Sequence, residues 1–389
     1  MLEVKAVQNK NMPKVMVLGI GGGGNNAISR MATDVTEHVS YAALNTDSMT
    51  LDNCPASIRL QLGSKLTQGF GAGGDPVIGE SAAKESEEDI TDLVKDANMV
   101  ILTCGMGGGT GTGAIPVIAE ICKKLGILTV AVVTLPFSFE SQPRVYAAQT
   151  GLKKLEQNID TMLVIPNDKL LTITDKPFYM DEAFEMADSV LKYTIEGITN
   201  IIYNHGTINL DFNDLKSTLK DKGYGLFGIG IATEEETIID AVEKAISSPL
   251  LETKITGASN ILLNTSGRID IVALNKAVSY IREQAGENVN IFWGTVSGEN
   301  PTSDIVVTII ATGMNNTQKQ APNNADIHKA VNPAKMPISP QPIKSDFDIH
   351  VLGNAKTAGE IASALNRQPQ VASVKPVQLV IPSFLQNKK

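Results

Sequence analysis

The feature that most restricts how this chain can fold is a glycine-rich turn set between an apolar strand and a helix. Residues 99–104 (Met-Val-Ile-Leu-Thr-Cys) read as a buried strand, and residues 114–125 read as a helix. Between them runs Gly105-Met106-Gly107-Gly108-Gly109-Thr110-Gly111-Thr112-Gly113. Five of the seven residues 107–113 lack a Cβ, so the backbone there can adopt φ > 0 and approach a ligand closely. Thr110 and Thr112 add hydroxyls. Such a turn offers unpaired N–H groups and the positive end of a helix dipole, which is an anion site best suited to phosphate. A flexible glycine linker has similar composition, but linkers do not join a strand to a helix inside a compact unit.

The chain around this turn alternates strands and helices. Residues 14–20 read as a strand, followed by Gly21-Gly22-Gly23-Gly24-Asn25-Asn26 and a helix expected from about Ala27. A second strand covers 39–45 and ends at Asn45-Thr46-Asp47. A polar segment with Gly71-Ala72-Gly73-Gly74 precedes Asp75-Pro76, which has the N-cap and first-turn chemistry of a helix expected to reach about Asp96. Residues 127–134 form a β-branched run typical of a strand covered on both faces. A helix over 144–158 and a strand over 161–165 follow. This order predicts an α/β fold with a Rossmann-like, doubly wound parallel sheet over 13–180, behind a loose arm at 1–12. Ligands of such sheets bind outside the carboxyl ends of the strands, where the glycine turns, Asn45, Glu140 and Asn167 all fall.

Residues 181–204 keep a helical apolar period and predict a helix of about 36 Å, long enough to connect two domains. Its first turns carry Phe184 and Asp188; core packing is the plain alternative for Phe184. A smaller α/β domain with a mixed sheet is expected over 205–314, opening on Asn209-Leu210-Asp211-Phe212-Asn213-Asp214. Those polar residues read by themselves as a helix N-cap cluster. Residues 315–378 hold seven prolines, thirteen Asn or Gln and one aromatic, Phe347. Such a segment cannot bury enough surface to offset its ordering entropy and is expected to be a disordered linker. Residues 379–389 then restore an apolar patch, Leu379-Val380-Ile381-Pro382-Ser383-Phe384-Leu385, which reads as a docking peptide on a tether.

Composition narrows the function classes. No apolar run approaches the roughly 18 residues of a membrane span, and residues 1–5 lack the apolar core of a signal peptide, so the cytoplasm is expected. Cys54, Cys104 and Cys122 are scattered, as buried thiols of a reducing compartment are. The four histidines cluster neither with each other nor with the cysteines, which speaks against zinc. The net charge of −9 divides into an acidic body and a basic tail, a poor match for nucleic acid.

The ligand reading has two branches. Gly19-x-Gly21-x-x-Gly24 satisfies the dinucleotide fingerprint, with Asp47 at a distance suited to a ribose, so a nicotinamide-dependent oxidoreductase is one branch. Against it stand the second glycine turn, the amides of Asn25 and Asn26, and the lack of a recognisable hydride-transfer constellation. Two phosphate-gripping turns suit a triphosphate better. The chain has no GxxxxGK[ST] and no protein-kinase motif set. Phosphate charge would be met by backbone N–H groups, amides, hydroxyls and a bound Mg²⁺ to which no side chains are assigned, with Arg144 the best basic candidate.

Gly107 to Ala114 is the signature stretch of the tubulin and FtsZ superfamily, and residues 13–314 resemble the FtsZ family of bacterial cell-division GTPases. The resemblance rests on Gly19 to Ala27, Asn45-Thr46-Asp47, Gly71 to Pro76, Pro136-Phe137-Ser138-Phe139-Glu140 and Ile165 to Leu170, in the family's order and spacing. It implies GTP binding by Gly21, Gly22, Gly23, Gly24, Asn25, Asn26, Gly73, Gly107, Gly108, Gly109, Thr110, Gly111 and Thr112 around the phosphates. Glu140 and Arg144 would lie by the ribose and phosphates, and Asn167, Phe184 and Asp188 by the guanine. Asn209, Asp211 and Asp214 match the family's catalytic loop, which completes the GTP site of the next subunit, so hydrolysis is expected to require head-to-tail polymerisation into the filaments of a division ring (Z ring) at mid-cell beneath the inner membrane. Ile381, Pro382, Phe384 and Leu385 match the tail that binds membrane-tethering and regulatory division proteins, without the acidic residue usual before Ile-Pro. Leu135 stands where the family commonly has a basic residue, Ser141-Gln142-Pro143 lack the usual basic neighbours of Arg144, and Trp293 is unusual.

Overall fold

A computed structural model describes residues 12–32, 39–172, 179–203, 211–233, 236–251, 253–267, 269–296 and 305–314, all within one compact unit. Asn209, the linker and the tail peptide lie outside the described residues.

The first half is a parallel sheet with helices on both faces. In chain order it contains β1 (Val15–Ile20), α1 (Gly21–Met31), β2 (Val39–Asn45), α2 (Ser48–Asp52), β3 (Ile58–Gln61), α3 (Ser64–Thr67), α4 (Pro76–Glu85), α5 (Glu87–Val94), β4 (Met99–Gly105), α6 (Thr110–Lys124), β5 (Leu128–Leu135), α7 (Gln142–Glu156), β6 (Thr161–Pro166) and α8 (Asn167–Leu170). Strands β3-β2-β1-β4-β5-β6 pair in parallel in that order. Period-two alternation divides their side chains between two cores. Leu18, Ile20, Leu102, Cys104, Ala131 and Val133 pack with α4 to α7, while Val17, Ile101, Val130 and Val132 are equally buried on the face toward α1 and the next helix.

That helix, α9 (Met180–Tyr203), has 24 residues and buries Ala183, Ala187, Val190, Leu191, Thr194, Ile195 and Ile198 along one stripe. It crosses the sheet from end to end. Near its start Phe184 meets Phe137, beyond the carboxyl end of β5; at its end the Tyr203 hydroxyl donates to the Pro13 carbonyl (2.6 Å) and accepts from the Val15 N–H (3.1 Å), at the amino end of β1.

The second half contains α10 (Phe212–Leu219), β7 (Gly223–Ala232), α11 (Ile238–Ile246), β8 (Asn260–Ser266), α12 (Ile271–Ala285), β9 (Asn290–Val296) and β10 (Ile305–Thr312). The mixed character is present: β10 runs antiparallel to β7 and β8, and β8 runs parallel to β9. Its apolar faces close a second core through Ile238, Ala241, Ile261, Leu263, Ile281 and Ile309. The two sheets are continuous. β7 pairs with β6 through Gly223–Gly225 and with β10 through the rest of its length, giving ten strands in one ordered sheet. Trp293 sits on edge strand β9, packs on the second core and donates from Nε1 to the Thr265 hydroxyl (3.0 Å).

Three boundaries differ most from the sequence expectations. α1 starts at Gly21 rather than near Ala27. Glycine disfavours a helix by about 1 kcal/mol per residue, but a Cβ on Gly24 would lie 2.5 Å from the Thr103 carbonyl oxygen, so the close seat of this helix on β4 selects glycine. α6 likewise begins at Thr110, four residues before Ala114. The helix expected to run from Pro76 to Asp96 is two helices, broken at Ser86, whose hydroxyl accepts from the Gly63 N–H (3.0 Å). Asp75 does cap α4, accepting from the Val77 N–H (2.8 Å). The three cysteines are buried and free. Among the described residues no helix is long and apolar enough to cross a membrane.

Candidate functional site

The site is assembled from turns at the carboxyl ends of β1, β4, β5 and β6. The two glycine turns meet directly: a Cβ on Gly21 would lie 2.9 Å from the Gly111 nitrogen, and one on Gly23 would lie 3.2 Å from the Gly105 nitrogen. Gly21 and Gly107 have φ of +71° and +102°, which glycine alone adopts readily. The Gly71–Asp75 turn closes the third side, since a Cβ on Gly109 would touch Ala72, Gly74 and Asp75 within 2.9 Å. The Thr46 and Thr110 hydroxyls join across it at 2.7 Å.

Most glycines here are required by neighbours or by φ; Gly22 and Gly108 are not. Neither has a positive φ, and a Cβ at either would meet nothing within 4 Å. The space in front of them is open, beside the first turns of α1 and α6. This is the geometry of a phosphate cradle.

The expected phosphate residues divide by what their side chains do. Asn26 is exposed. Asn25 is only 1% exposed; its amide donates to the Gly19 carbonyl (2.9 Å) and accepts from Asn45 (2.7 Å), tying α1 to β1 and β2. The Thr112 hydroxyl accepts from the Gly107 N–H (2.8 Å), which sets the shape of the turn. Asn25 and Thr112 thus hold the cradle with their side chains and leave ligand contact to backbone. Gly73 is exposed on the rim.

Next to the cradle, Glu140 accepts from the Phe137 N–H (2.9 Å) and pairs with Arg144. A Cβ on Gly107 would lie 2.9 Å from the Arg144 carbonyl oxygen, so α7 abuts the turn. The Ser138 N–H donates to Asp168 (2.8 Å), which links the β5 turn to α8. Phe137 and Phe139 stack at 4.9 Å, and Phe184 meets both edge-on at 5.3 and 6.5 Å. Phe184 is 41% exposed, so it is not simply a core residue. One turn further along α9, Asp188 is mostly buried, and burial pushes its carboxyl up to about 6 against the opposing pull of Arg30. The Asn167 side-chain oxygen is buried without a hydrogen-bond partner. An unpartnered amide oxygen at the start of α8, with a mostly buried carboxylate and a half-exposed ring on α9, is suited to a base rich in donors.

Asp47 answers the dinucleotide branch. Its carboxylate caps α2, accepting from the Met49 and Thr50 N–H groups and the Thr50 hydroxyl, and so is committed to the fold rather than to a ribose. Phe139 and Asp168 lie within the quoted loops without a role of their own, whereas Arg30 has no sequence signal; only pairing across the fold brings it to the site. Leu135 packs on the first core. Ser141 is the N-cap of α7 without a side-chain bond, and Pro143 lies in the first turn.

Asp211 and Asp214 are elsewhere. They form a capping box on α10: Asp211 accepts from the Asp214 N–H (2.8 Å), and Asp214 accepts from the Asp211 N–H (3.3 Å). The capping reading of the sequence is therefore correct. It uses one oxygen of each carboxylate. α10 lies toward the amino end of the sheet, with the Leu219 carbonyl bonded to Thr161 at the start of β6. The cradle lies past the other end of β5, eight residues or about 26 Å away. α10 itself is about 12 Å long, so its amino end stays far from the chain's own cradle.

The fold and the backbone-lined cradle define an α/β protein of the nucleotide-binding class. Comparison with known proteins specifies it further. The model of the Tubulin/FtsZ family GTPase domain matches residues 14–175, and that of the FtsZ family C-terminal domain matches residues 223–315. An empty FtsZ dimer structure from M. jannaschii is 41% identical, covering 79% of this chain and 89% of that one, with a TM-score of 0.75. A GTPγS-bound protofilament structure of CetZ2 from Haloferax volcanii shares the fold at 18% identity and a TM-score of 0.68, covering 79% and 95% of the two chains. The chain belongs to the FtsZ family. It is a GTPase, with GTP and GDP as its ligands.

Proposed function

We propose that this GTPase polymerises head to tail into filaments of the contractile ring at a bacterial division site, in the cytoplasm beneath the inner membrane. On this reading residues 13–180 are the GTP-binding domain, 181–204 the connecting helix and 205–314 the domain that carries the catalytic loop. The chain recruits membrane-tethering and regulatory division proteins through residues 379–389, chiefly Ile381, Pro382, Phe384 and Leu385.

One observation carries the reading: the cradle lies past the carboxyl ends of the strands, whereas α10, which carries Asp211 and Asp214, packs at their amino ends. A second copy stacked on the cradle with its α10 edge would bring Asp211 and Asp214, with Asn209, to the γ-phosphate. Each carboxylate has one oxygen outside the capping box with which to orient or polarise the attacking water. A heterologous contact of this kind does not close and generates a filament. In the cradle, Gly21–Gly24 and Gly107–Thr112 hold phosphate, Glu140 and Arg144 flank it, and Asn167, Phe184 and Asp188 hold guanine. An ionised Asp188 accepts from both N1–H and the N2 amino group, a donor pair that adenine lacks. Among the described residues no cluster of three or more His, Cys, Asp or Glu could hold a metal. Mg²⁺ fits here as a counter-ion held by phosphate oxygens and water, offsetting charge that a cradle of neutral N–H groups leaves unmatched.

The test is phosphate release measured with light scattering across a protein concentration series. Turnover should be negligible below a threshold and rise steeply above it, together with scattering. Turnover proportional to concentration at every point would refute assembly-coupled hydrolysis.

A further inference from the structure

α1 reaches the site with both ends. Its amino end forms the first phosphate turn, and its last turn carries Arg30, whose Nε lies 3.4 Å from Asp188 Oδ2 and whose Nη2 lies 3.4 Å from Glu185 Oε1. The Asp188 side chain is 15% exposed, whereas those of Arg30 and Glu185 are 40% and 63% exposed. A buried carboxylate that reads a base must stay ionised, because a protonated one presents a hydroxyl donor where guanine also presents donors.

We propose that Arg30 is a positioning residue for base recognition: by bridging Asp188 and Glu185 it ties α1 to α9 and keeps the Asp188 carboxylate charged and aligned for guanine. This rests on the reading of Asp188 as the guanine acceptor. Among the described residues Arg30 is the one cation that acts on it. From α1 the group facing Asp188 is Arg30. From its own helix it is Glu185, whose charge disfavours ionisation. Lys192, further along α9, pairs with Glu196 and donates to the Arg30 carbonyl. β5 and β9, which also pack on α9, carry no charged residue. α8 carries Asp168, bonded to the Ser138 N–H, and Lys169. Burial already pushes Asp188 up to about 6 with Arg30 present, so removing the guanidinium moves its titration upward, toward neutrality. The bound base needs the ionised form; affinity is therefore full above that pKa and lost as pH falls through it.

The experiment measures GDP and ADP affinity between pH 5.5 and 8.5 for the full chain, Arg30→Gln, Arg30→Lys and Asp188→Asn, each checked by thermal melting. The full chain should lose GDP affinity below a midpoint near pH 6. Arg30→Gln should move that midpoint up by about one unit and lower the GDP preference over ADP about twofold at pH 7 and about eightfold at pH 5.5; Arg30→Lys should restore most of both. An unmoved midpoint in Arg30→Gln overturns the inference, as does an equal loss at every pH that lysine does not repair. Asp188→Asn separates the layers. If it keeps the guanine preference, the base reading itself fails; if it loses the preference while Arg30→Gln is silent, only the role of Arg30 fails.

Discussion

Replacing Asp211 with asparagine is expected to lower GTP turnover by about a hundredfold or more while GTP affinity stays at its wild-type value. Asparagine caps helices as well as aspartate does, so the bond to the Asp214 N–H persists and α10 keeps its start. What disappears is the charge. Because the cradle lies at the other end of the strands, nucleotide binding is unaffected. Asp211→Ala is a poorer probe, since it also removes the cap and about 1 kcal/mol of stability. Phosphate release under saturating GTP, with affinity measured separately by nucleotide titration, checks the expectation. Normal turnover in Asp211→Asn would remove its catalytic role.

A large effect on stability is expected from Gly113→Ala. A Cβ there would lie 2.0 Å from the Pro76 carbonyl oxygen and 2.6 Å from the Glu80 nitrogen. Both contacts are backbone, so no side chain can swing aside, and α4 and α6 must separate. A loss of about 3 kcal/mol is expected, read as a lower urea midpoint. Gly108→Ala makes the same chemical change where nothing lies within 4 Å. It should leave the urea midpoint within about 0.5 kcal/mol of wild type and weaken GTP binding, because its methyl enters the cradle. If both variants were equally destabilised, the assignment of open space to the ligand would be wrong.

These contrasts mark what the sequence discloses. β2 was legible to the residue because an apolar run ends at the turn residues Asn45-Thr46-Asp47. The meeting of the two glycine turns was legible because glycine between a strand and a helix marks a close backbone approach. The start of α1 was not, since local propensity argues against a glycine helix and only the approach of β4, far away in the chain, explains it. The helices α2 and α3 and strand β3 were too short and polar to show a period. The continuity of the sheet through β7 depends on which strand lies beside which, and no local pattern records that. At the site, Asn25 and Thr112 look like ligand groups in the sequence, yet their side chains bond within the protein. The capping box on α10 was legible as such, whereas the catalytic reading of the same residues came from family resemblance. The pairing of Arg30 with Asp188 joins helices on opposite sides of the sequence and leaves no trace in either.

On the proposed reading, two copies of the chain build each hydrolytic site. Asp211→Asn keeps the cradle and lacks the carboxylate; Gly108→Leu keeps the carboxylate and fills the cradle. Each alone should hydrolyse GTP negligibly. Mixed above the assembly threshold, they should recover a substantial fraction of wild-type turnover, because the cradle of one then meets the α10 edge of the other. A mixture that co-assembles yet is no more active than the sum of its parts would contradict the account.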